Sequence, residues 1–566
     1  MFANYGKVDE MEHQRLMSRR KTVMRVAATA LAFILLVSIV AAVVAGTRSS
    51  RQQSDSKSSE NLSSSIKAVC NVTLYPDSCF SSLSQVARTG RPLDLFRLSM
   101  QVAQKALQAA SEQFGGPLWQ NVDSNMTTQA VQNCKTLLGL ATDHVNNSLL
   151  AASGDLSLIH SVTDLQTWLS TAATCQETCL DGFEFETQEI QSSVMDTLRN
   201  STELTSNSLA IVNLVTRITS GSLNLRRRRL LTAEDEEPEW ISAGARRLMA
   251  SANLTSMANI TVSKDGKGQF KTISDALNAV PSKSNQTFII YVKKGVYAEN
   301  VVVATNKWNV VMMGDGSNKT IVSGSLNVVD GTPTFSSATF AVMGKGFMAR
   351  DMGFYNTAGA AKQQAVAFLS ASDMSVFYQC RFDAFQDTLY THSNRQFYRK
   401  CDILGTVDFI FGNAAVVFQN CNMLPRRPLP GQTNVITAQG KTDPNMNTGT
   451  SIQGCVVAPF EDLTGVKSYL GRPWKDYSTT IYMNSSLSSI VQPQGWLPWM
   501  GTTAPDTVFY AEYLNTGPGA DTKNRVGWKG LKLNLTSKAA GAFTVKSFIQ
   551  GDKWIPSTGV PYKGGL

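Results

Sequence analysis

The sequence contains few of the residues that hold metals or relay protons in hydrolases. Only four histidines occur among 566 residues, and His392 is the single one after residue 160. No Gly-x-Ser-x-Gly segment, the turn that exposes a serine nucleophile, is present. The most closely spaced cysteines are Cys175 and Cys179, too few for a zinc site. We therefore expect no metal and no cofactor, and a Ser-His-Asp triad has little support.

Charged residues are also scarce, at 17% of the chain against 43% hydrophobic residues, which describes a globular protein with a large core. The net charge of +9 is unevenly distributed. Residues up to 249 carry a net charge of −1, and the remainder carries +10. A basic C-terminal half favours an anionic partner such as nucleic acid, a membrane or an acidic polysaccharide.

Residues 26–46 contain no charged residue and are long enough to cross a bilayer. Basic residues precede this stretch, so residues 1–25 are predicted to be cytosolic and the rest of the chain is predicted to be exported. We favour a signal anchor, with a cleaved signal peptide as the alternative. A polar stalk is predicted for residues 47–65. Export would make the following asparagines, each in an Asn-x-Ser/Thr sequon, candidates for glycosylation: Asn71, Asn125, Asn146, Asn200, Asn253, Asn259, Asn285, Asn318, Asn484 and Asn534.

Residues 66–218 are rich in Ala, Leu, Ser and Gln, with apolar residues three and four apart and few Gly or Pro residues. This pattern predicts an all-α four-helix bundle. Two Arg-Arg-Leu-apolar sites flank an acidic run in the linker that follows, residues 219–250. An isolated basic cluster would usually be a solvated charge run, but the duplication favours proteolytic processing, at Arg228 and Arg229 or at Arg246 and Arg247.

Residues 251–566 consist of short β-branched and aromatic runs that alternate with Gly and Asn. An apolar-polar-polar-Cys motif ends at Cys380, Cys401, Cys421 and Cys455, in two nearly equal steps followed by a longer one. A period near 20 with short strands predicts an all-β right-handed parallel β-helix, and the longer step predicts one insertion. Leucine-rich repeats share the period, but their Leu/Asn spacing is absent.

Stacked coils lie about 4.8 Å apart, so residues one period apart sit above one another. Cys380 and Cys401 therefore fall within disulfide range. Gln364, Gln386 and Asp408, which are evenly spaced along the chain, are predicted to form a column. Asp387 and Asp408 lie in apolar stretches, where charged residues are rare unless paired or functional. Strand alternation would point Asp387 away from the column, so its participation requires a backbone bend.

Several motifs closely resemble those of plant pectin methylesterases that carry an inhibitor-like pro-region. They are the segments 295–301, 356–359, 386–390, 408–412 and 470–474 together with the Gln364 segment. Residues 66–218 resemble the invertase/pectin methylesterase inhibitor bundle through the segments 75–79 and 178–183. The resemblance implies a right-handed parallel β-helix that demethylates polygalacturonate in the plant cell wall, reached through the secretory pathway.

The resemblance also implies residue roles. Asp408 would be the nucleophile, Asp387 the proton donor and then the base, and Gln386 a stabiliser of the oxyanion. Substrate contacts would come from Thr339, Gln364, Arg472 and Trp474, with Arg472 keeping Asp408 ionised. The disulfides expected are Cys70–Cys79, Cys134–Cys179, Cys380–Cys401 and Cys421–Cys455, with Cys175 as the alternative partner of Cys134.

Expected partners are methyl-esterified homogalacturonan, a processing protease, separate inhibitor proteins, and a membrane before processing, but no nucleic acid. Two other functions are alternatives. A pectate-lyase-like enzyme would need a calcium site of clustered carboxylates, and too few acidic residues lie near Asp387 and Asp408. A non-catalytic wall-binding or inhibitor protein would use only the bundle.

Overall fold

The first part of the chain is helical in the computed structural model, which describes residues 55–119, 124–152, 162–226 and 257–566. The helices of this part are α1 (Asp55–Cys70), α2 (Pro76–Val86), α3 (Pro92–Gln113), α4 (Asn125–Ala152), α5 (Val162–Asp181) and α6 (Gln188–Arg226). Pro76 and Pro92 stand in the first turns of α2 and α3, where a missing backbone N–H removes no helical hydrogen bond. Helices α3 to α6 pack against one another as the predicted bundle.

Two disulfides fasten the helices. Cys70–Cys79 joins α1 to α2 and Cys134–Cys179 joins α4 to α5, with Cα separations of 5.6 and 4.7 Å. Both predicted pairs are confirmed. Cys175, the alternative partner, is a buried free thiol one helical turn before Cys179.

The predicted boundaries of the helical part need correction. Helix α1 begins at Asp55, so part of the predicted stalk is helical, and α6 continues to Arg226, inside the predicted linker. The other predictions for residues 1–54 and 227–256, including the processing sites, the apolar stretch 26–46 and the Asn253 sequon, lie outside the described residues. Among the described helices, none has both the length and the apolar character needed to cross a bilayer.

From residue 260 the chain winds as a parallel β-helix, in which each complete coil gives one strand to each of three sheets. Sheet A contains Ile260–Val262, Phe288–Val292, Val310–Met313, Met348–Arg350, Ser375–Tyr378, Arg395–Arg399, Ala415–Gln419, Gly449–Gln453, Thr479–Met483, Phe509–Tyr513 and Leu531–Lys532. Sheet B contains Gly295–Ala298, Thr320–Gly324, Gly353–Asn356, Arg381–Asp383, Asp402–Gly405, Asn422–Pro425, Val456–Val457 and Ser486–Leu487. Sheet C contains Val301–Val303, Phe340–Val342, Phe368–Ser370, Leu389–Thr391, Ile410–Gly412, Asn434–Gln439 and Ser468–Pro473.

The interior is a continuous column of stacked side chains, as expected when coils that cannot bury their apolar side alone pile up. Phe377 stacks on Tyr398 and Tyr398 on Phe418, with ring centroids 4.5 and 4.6 Å apart. Short helices complete this part: α7 (Ile273–Asn278), α8 (Ser537–Gly541) and α9 (Val545–Phe548). Val545 and nearby residues of the C-terminal tail cover the outer face of sheet A.

The four repeated cysteines are stacked on successive coils, because the register pairs Tyr378 with Arg399, then Gln419, then Gln453. All four are buried free thiols, so the predicted bonds Cys380–Cys401 and Cys421–Cys455 are not formed. Instead the sulfurs bond to the backbone: the N–H groups of Cys401 and Cys421 lie 3.4 and 3.3 Å from the sulfur one coil on. The stacked sulfurs therefore have hydrogen-bond partners without forming disulfides.

A one-residue left-handed bend follows the sheet A strands and turns the chain into sheet B. It recurs, with φ between 49 and 61°, at Asp351, Gln379, Lys400, Asn420, Gly454, Asn484 and Leu514. Only one of these seven residues is glycine, although the left-handed region costs other residues about 1–2 kcal/mol. The stacking of the coils therefore holds this conformation.

Candidate active site

Asp387 and Asp408 lie on neighbouring coils, just before the sheet C strands that begin at Leu389 and Ile410. Both have left-handed backbones, with φ of 62 and 50°. This is the bend that the alternation of strand residues required for Asp387. The N–H of Asp387 donates to Val407 O at 3.0 Å, with the same offset as the bond from Leu389 N–H to Phe409 O that accompanies the Leu389–Ile410 pairing. The two aspartates are therefore level with each other, about one coil spacing apart.

The predicted column of Gln364, Gln386 and Asp408 is correct for the glutamines and wrong by one residue for the aspartate. Gln364 pairs with Gln386 in a parallel bridge, but Asp408 is level with Asp387. The three residues are evenly spaced along the chain. The sheet C strands that follow Asp387 and Asp408, however, pair residues whose separation is one residue shorter than that spacing. The two glutamines and two aspartates nevertheless line one cavity.

Arg472, on the last strand of sheet C, binds Asp408 with two nitrogens. Its Nε lies 2.9 Å from Oδ1 and its Nη2 lies 2.5 Å from Oδ2. Such a forked, charge-assisted pair fixes the carboxylate in both position and orientation. The Asp408 side chain is only 6% exposed, so the pair is largely shielded from water.

The two carboxyls differ in their pKa. Burial raises the pKa of Asp408. The charge and hydrogen bonds of Arg472 lower it, in the predicted direction, but oppose the effect of burial only in part, so the net pKa is raised. The pKa of Asp387 rises well above its usual range because of burial, then Asp408, then Glu184, with Arg472 acting weakly against them. Asp387 lacks a direct ion pair in the described structure, so it is the better proton carrier of the two.

The side-chain amides of Gln364 and Gln386 make no hydrogen bond within the described part of the chain, and the buried Gln364 Oε1 has no partner. Both amides are therefore free to contact a ligand. Thr339 is not brought to the cavity: it is fully buried, and its hydroxyl donates to Tyr355 O at 3.0 Å. Its predicted substrate contact stays a prediction.

Aromatic rings form one wall. Tyr390 stacks on Phe411 with centroids 4.1 Å apart, and Trp474 lies 6.0 Å from Phe411. Trp499 extends the row and lies 4.2 Å from the Arg472 guanidinium. Tyr390 and Phe411 both belong to motifs noted in the sequence; Phe411 was predicted to raise the pKa of Asp387 as an apolar neighbour, whereas Tyr390 was not singled out. Trp499 lies in a long loop without any signal that could have identified it.

The opposite wall comes from the helical bundle, which closes over the aspartates and leaves a cavity of about 150 Å³. Residues 65–566 form one compact unit. The bundle residues that line the cavity are Met126, Thr178, Asp181, Gly182, Glu184 and Phe185. These residues cover the cavity on the side opposite the aromatic wall.

Helix α5 makes most of the polar contacts with the β-helix, through hydroxyls spaced along one face. The bonded pairs are Thr167–Asn447, Thr171–Asn394, Thr174–Asn413 and Thr178–His392, at 2.8 to 3.0 Å. Three ion pairs accompany them: Asp164 with Arg395, and Glu177 and Asp181 with Lys475. His392 is buried under this helix, and burial lowers its pKa to about 3, so it is no general base near neutral pH.

Profiles of known families match both parts of the chain. The pectinesterase profile matches residues 259–552, and that of the plant invertase/pectin methylesterase inhibitor matches residues 64–211. The Arabidopsis thaliana protein named putative pectinesterase/pectinesterase inhibitor 24 is 51% identical, with 100% of both chains covered. Pectinesterase 3 of Phaseolus vulgaris is 47% identical, covering 100% of this chain and 99% of that protein. The chain belongs to the pectinesterase family.

A solved pectin methylesterase from carrot is 52% identical, with a TM-score of 0.54. It covers 55% of this chain and 98% of its own length, so the carrot protein is about the size of the β-helix part alone. The pectinesterase described here is thus a pectin methylesterase with an inhibitor-like region before it. These findings favour the esterase over the lyase and the non-catalytic alternatives.

Proposed function

We propose that this pectinesterase cleaves methyl esters of homogalacturonan with Asp408 as nucleophile and Asp387 as acid and base. The carboxylate of Asp408 attacks the ester carbonyl, and Asp387 gives its proton to the departing methanol. The ionised Asp387 then takes a proton from water, which hydrolyses the acyl-enzyme. The observation that carries this assignment is the level pair of buried carboxyls, of which only Asp408 is bound by an arginine.

The oxyanion needs hydrogen-bond donors that are already in place. The uncommitted amides of Gln386 and Gln364 line the same cavity and are proposed to supply them. Trp474 offers a ring face on which a sugar can stack, and Arg472 keeps Asp408 oriented. Thr339 would contact substrate only after a local rearrangement of its buried side chain.

A methanol-release assay on residues 250–566 tests the mechanism. Asp408→Asn should abolish release from methylated pectin while pectin binding is retained, because the amide cannot act as the nucleophile. Asp402→Asn, on sheet B of the same coil, serves as the matched control and should keep wild-type activity. Near-wild-type methanol release by a folded Asp408→Asn variant would refute the assignment.

The bundle is proposed to be an intramolecular inhibitor. It fills the entrance to the aspartates, and its tether keeps its local concentration high, in the range of about millimolar for short flexible linkers. Removal requires cleavage in residues 227–256, where the Arg-Arg pairs 228–229 and 246–247 lie. The mature enzyme should then begin near Ala250.

Processing can be tested by replacing Arg228, Arg229, Arg246 and Arg247 together with Ala. The uncut protein should release little methanol, and N-terminal sequencing of the wild-type protein from cell walls should start near Ala250. Full activity of the purified uncut protein would contradict inhibition. A mature wild-type chain that retains residues 66–218 would contradict processing.

The compartment proposed is the secretory pathway and then the cell wall, with a membrane-anchored precursor. The two disulfides suit an oxidising compartment. The predicted glycosylation candidates that lie within the described residues are all exposed asparagines. The +10 charge of the C-terminal half suits an anionic wall polymer. Separate inhibitor proteins remain proposed partners, because the catalytic face accepts an inhibitor-like bundle.

A further inference from the structure

Lys475 follows Trp474 directly and lies at the edge of the candidate active site. Its ammonium is 5.2 Å from the centroid of the Trp474 ring. It binds two carboxylates of the bundle, Glu177 Oε1 at 2.5 Å and Asp181 Oδ1 at 2.7 Å. Asp181 also lines the cavity that holds both catalytic aspartates. Lys475, at the edge of the candidate active site, thus forms ion pairs with two bundle carboxylates, one of which lines the cavity.

Both partners of Lys475 come from α5. Among the described residues of the β-helix, none forms an ion pair with it. Burial would lower the pKa of Lys475, but the carboxylates of Asp181 and Glu177 raise it above its usual value. Once the bundle is gone, a charged ammonium remains beside the sugar-stacking face of Trp474, without a counter-ion from the described part of its own fold.

The substrate class supplies one anionic group, the free carboxylate that each demethylated galacturonate carries. A methyl ester presents no charge to an ammonium, so this position distinguishes the two states of a neighbouring sugar. The two acidic side chains, four residues apart on one helix face, show that the position accepts carboxylates at hydrogen-bond distance.

We propose that Lys475 is a specificity-determining residue that binds the free carboxylate of a galacturonate adjacent to the ester being hydrolysed. The enzyme then prefers esters with a demethylated neighbour, and Glu177 and Asp181 occupy this subsite in the full-length chain. The inference rests on the proposed esterase function. One charge-assisted contact at a partly exposed site corresponds to a preference of roughly tenfold.

The test measures kcat/KM for methanol release by residues 250–566 on two oligogalacturonides of equal length. One is fully methylated, and the other carries free carboxylates at alternate sugars. Lys475→Gln should lose about tenfold on the second substrate and change little on the first. Lys475→Arg should keep the preference, because the charge is retained. The control is Lys467→Gln, which should behave as wild type. Lys467 is exposed and precedes the strand Ser468–Pro473, whereas Lys475 follows it.

Circular dichroism and thermal melting confirm that the variants are folded. An unchanged ratio between the two substrates in folded Lys475→Gln would overturn the inference while the esterase function stood. Equal losses on both substrates would overturn it too, because Lys475 would then serve substrate binding in general. If wild-type protein released no methanol from either substrate, the proposed function would fail and the inference with it.

Discussion

Arg472 holds Asp408 through a two-nitrogen fork that a lysine cannot reproduce. In an Arg472→Lys variant the pKa of Asp408 should therefore rise further. Asp408 must be ionised to attack, and a higher pKa leaves it protonated up to a higher pH. We expect the acid limb of kcat/KM against pH to move upward in residues 250–566 carrying this change. Arg399→Lys, whose guanidinium bonds Gln419 and Asn420 on the outer corner, should leave the profile in place. An unmoved acid limb in Arg472→Lys would contradict the role of Arg472.

Gln386 is proposed to act mainly in the transition state, when negative charge appears on the ester oxygen. Gln386→Ala should lower kcat by roughly 100–1,000-fold, the usual loss for one oxyanion donor. KM should change little, because the contact is weak in the ground state. Initial-rate kinetics of methanol release measure both constants, with the exposed Gln286→Ala as control. A raised KM with unchanged kcat would assign Gln386 to substrate binding instead.

The sequence predicts residues inside motifs well and residues that depend on local geometry less well. Asp387, Asp408, Gln386 and Gln364 come together as predicted, because a repeating coil converts sequence period into proximity. The exact level of Asp408 could not be predicted, since the coil from Asp387 to Asp408 is one residue shorter than the coil from Gln364 to Gln386. The net pKa of Asp408 was also beyond prediction, because burial competes with Arg472 and only coordinates show how complete that burial is.

At the scale of elements, the left-handed corner after the sheet A strands offers a test of stability. Leu514 occupies it with φ of 49° and is 67% exposed, so its side chain gains little from packing. Asparagine tolerates this conformation better than leucine does. Leu514→Asn should therefore raise the unfolding free energy by about 0.5–1 kcal/mol, as measured by urea unfolding of residues 250–566.

Gly454→Ala gives the opposite test in the same corner. Its φ is 61°, and an added Cβ would lie 3.5 Å from the nearest side-chain atom, so backbone strain alone opposes the change. A loss of about 1 kcal/mol is expected. Unchanged stability in both variants would mean that the corner imposes no strain.

Element type was predictable because periodicity differs between the two halves, about 3.6 in the bundle and about 20 per coil afterwards. The bonding of the thiols was not. Cys380 and Cys401 stack within range, as their spacing implied, but proximity does not decide oxidation when the backbone already satisfies each sulfur. The longer step to Cys455 was correctly attributed to an insertion, since the register still pairs Gln419 with Gln453.

For the whole molecule, the closed cavity predicts pH-dependent release of the bundle. Burial and Glu177 raise the pKa of Asp181 to about 7 despite Lys475, and burial raises that of Glu184. The docked form therefore holds protons that the separated form gives up. Docking is strongest below the ordinary carboxyl range and weakens as the pH rises from about 4 to about 7.

This linkage can be measured after cutting the linker with an added protease site and following bundle retention by gel filtration. Retention should fall between about pH 4 and about pH 7. Glu184→Gln, which removes one of the titrating groups, should flatten the dependence. Retention that rises with pH in the wild-type protein would show the sign to be wrong.

The closure of the bundle over the catalytic coils was foreseen only as a family resemblance. Lys475 and Asp181 are 294 residues apart, and no period connects them. The repeat spacing of each fold predicts contacts within that fold but not contacts between the bundle and the β-helix. Such contacts can be identified only in the assembled structure.

The hydroxyl-and-amide character of the α5 contact surface has a consequence for solubility. When the bundle departs, Asn394, Asn413 and Asn447 exchange threonine hydroxyls for water at little energetic loss. The row of β-helix asparagines that α5 covers would thus be hydrated after the bundle departs. Removal of the bundle would therefore uncover amides along this row, and apolar rings only at the aromatic wall of the cavity, which limits the surface available for self-association.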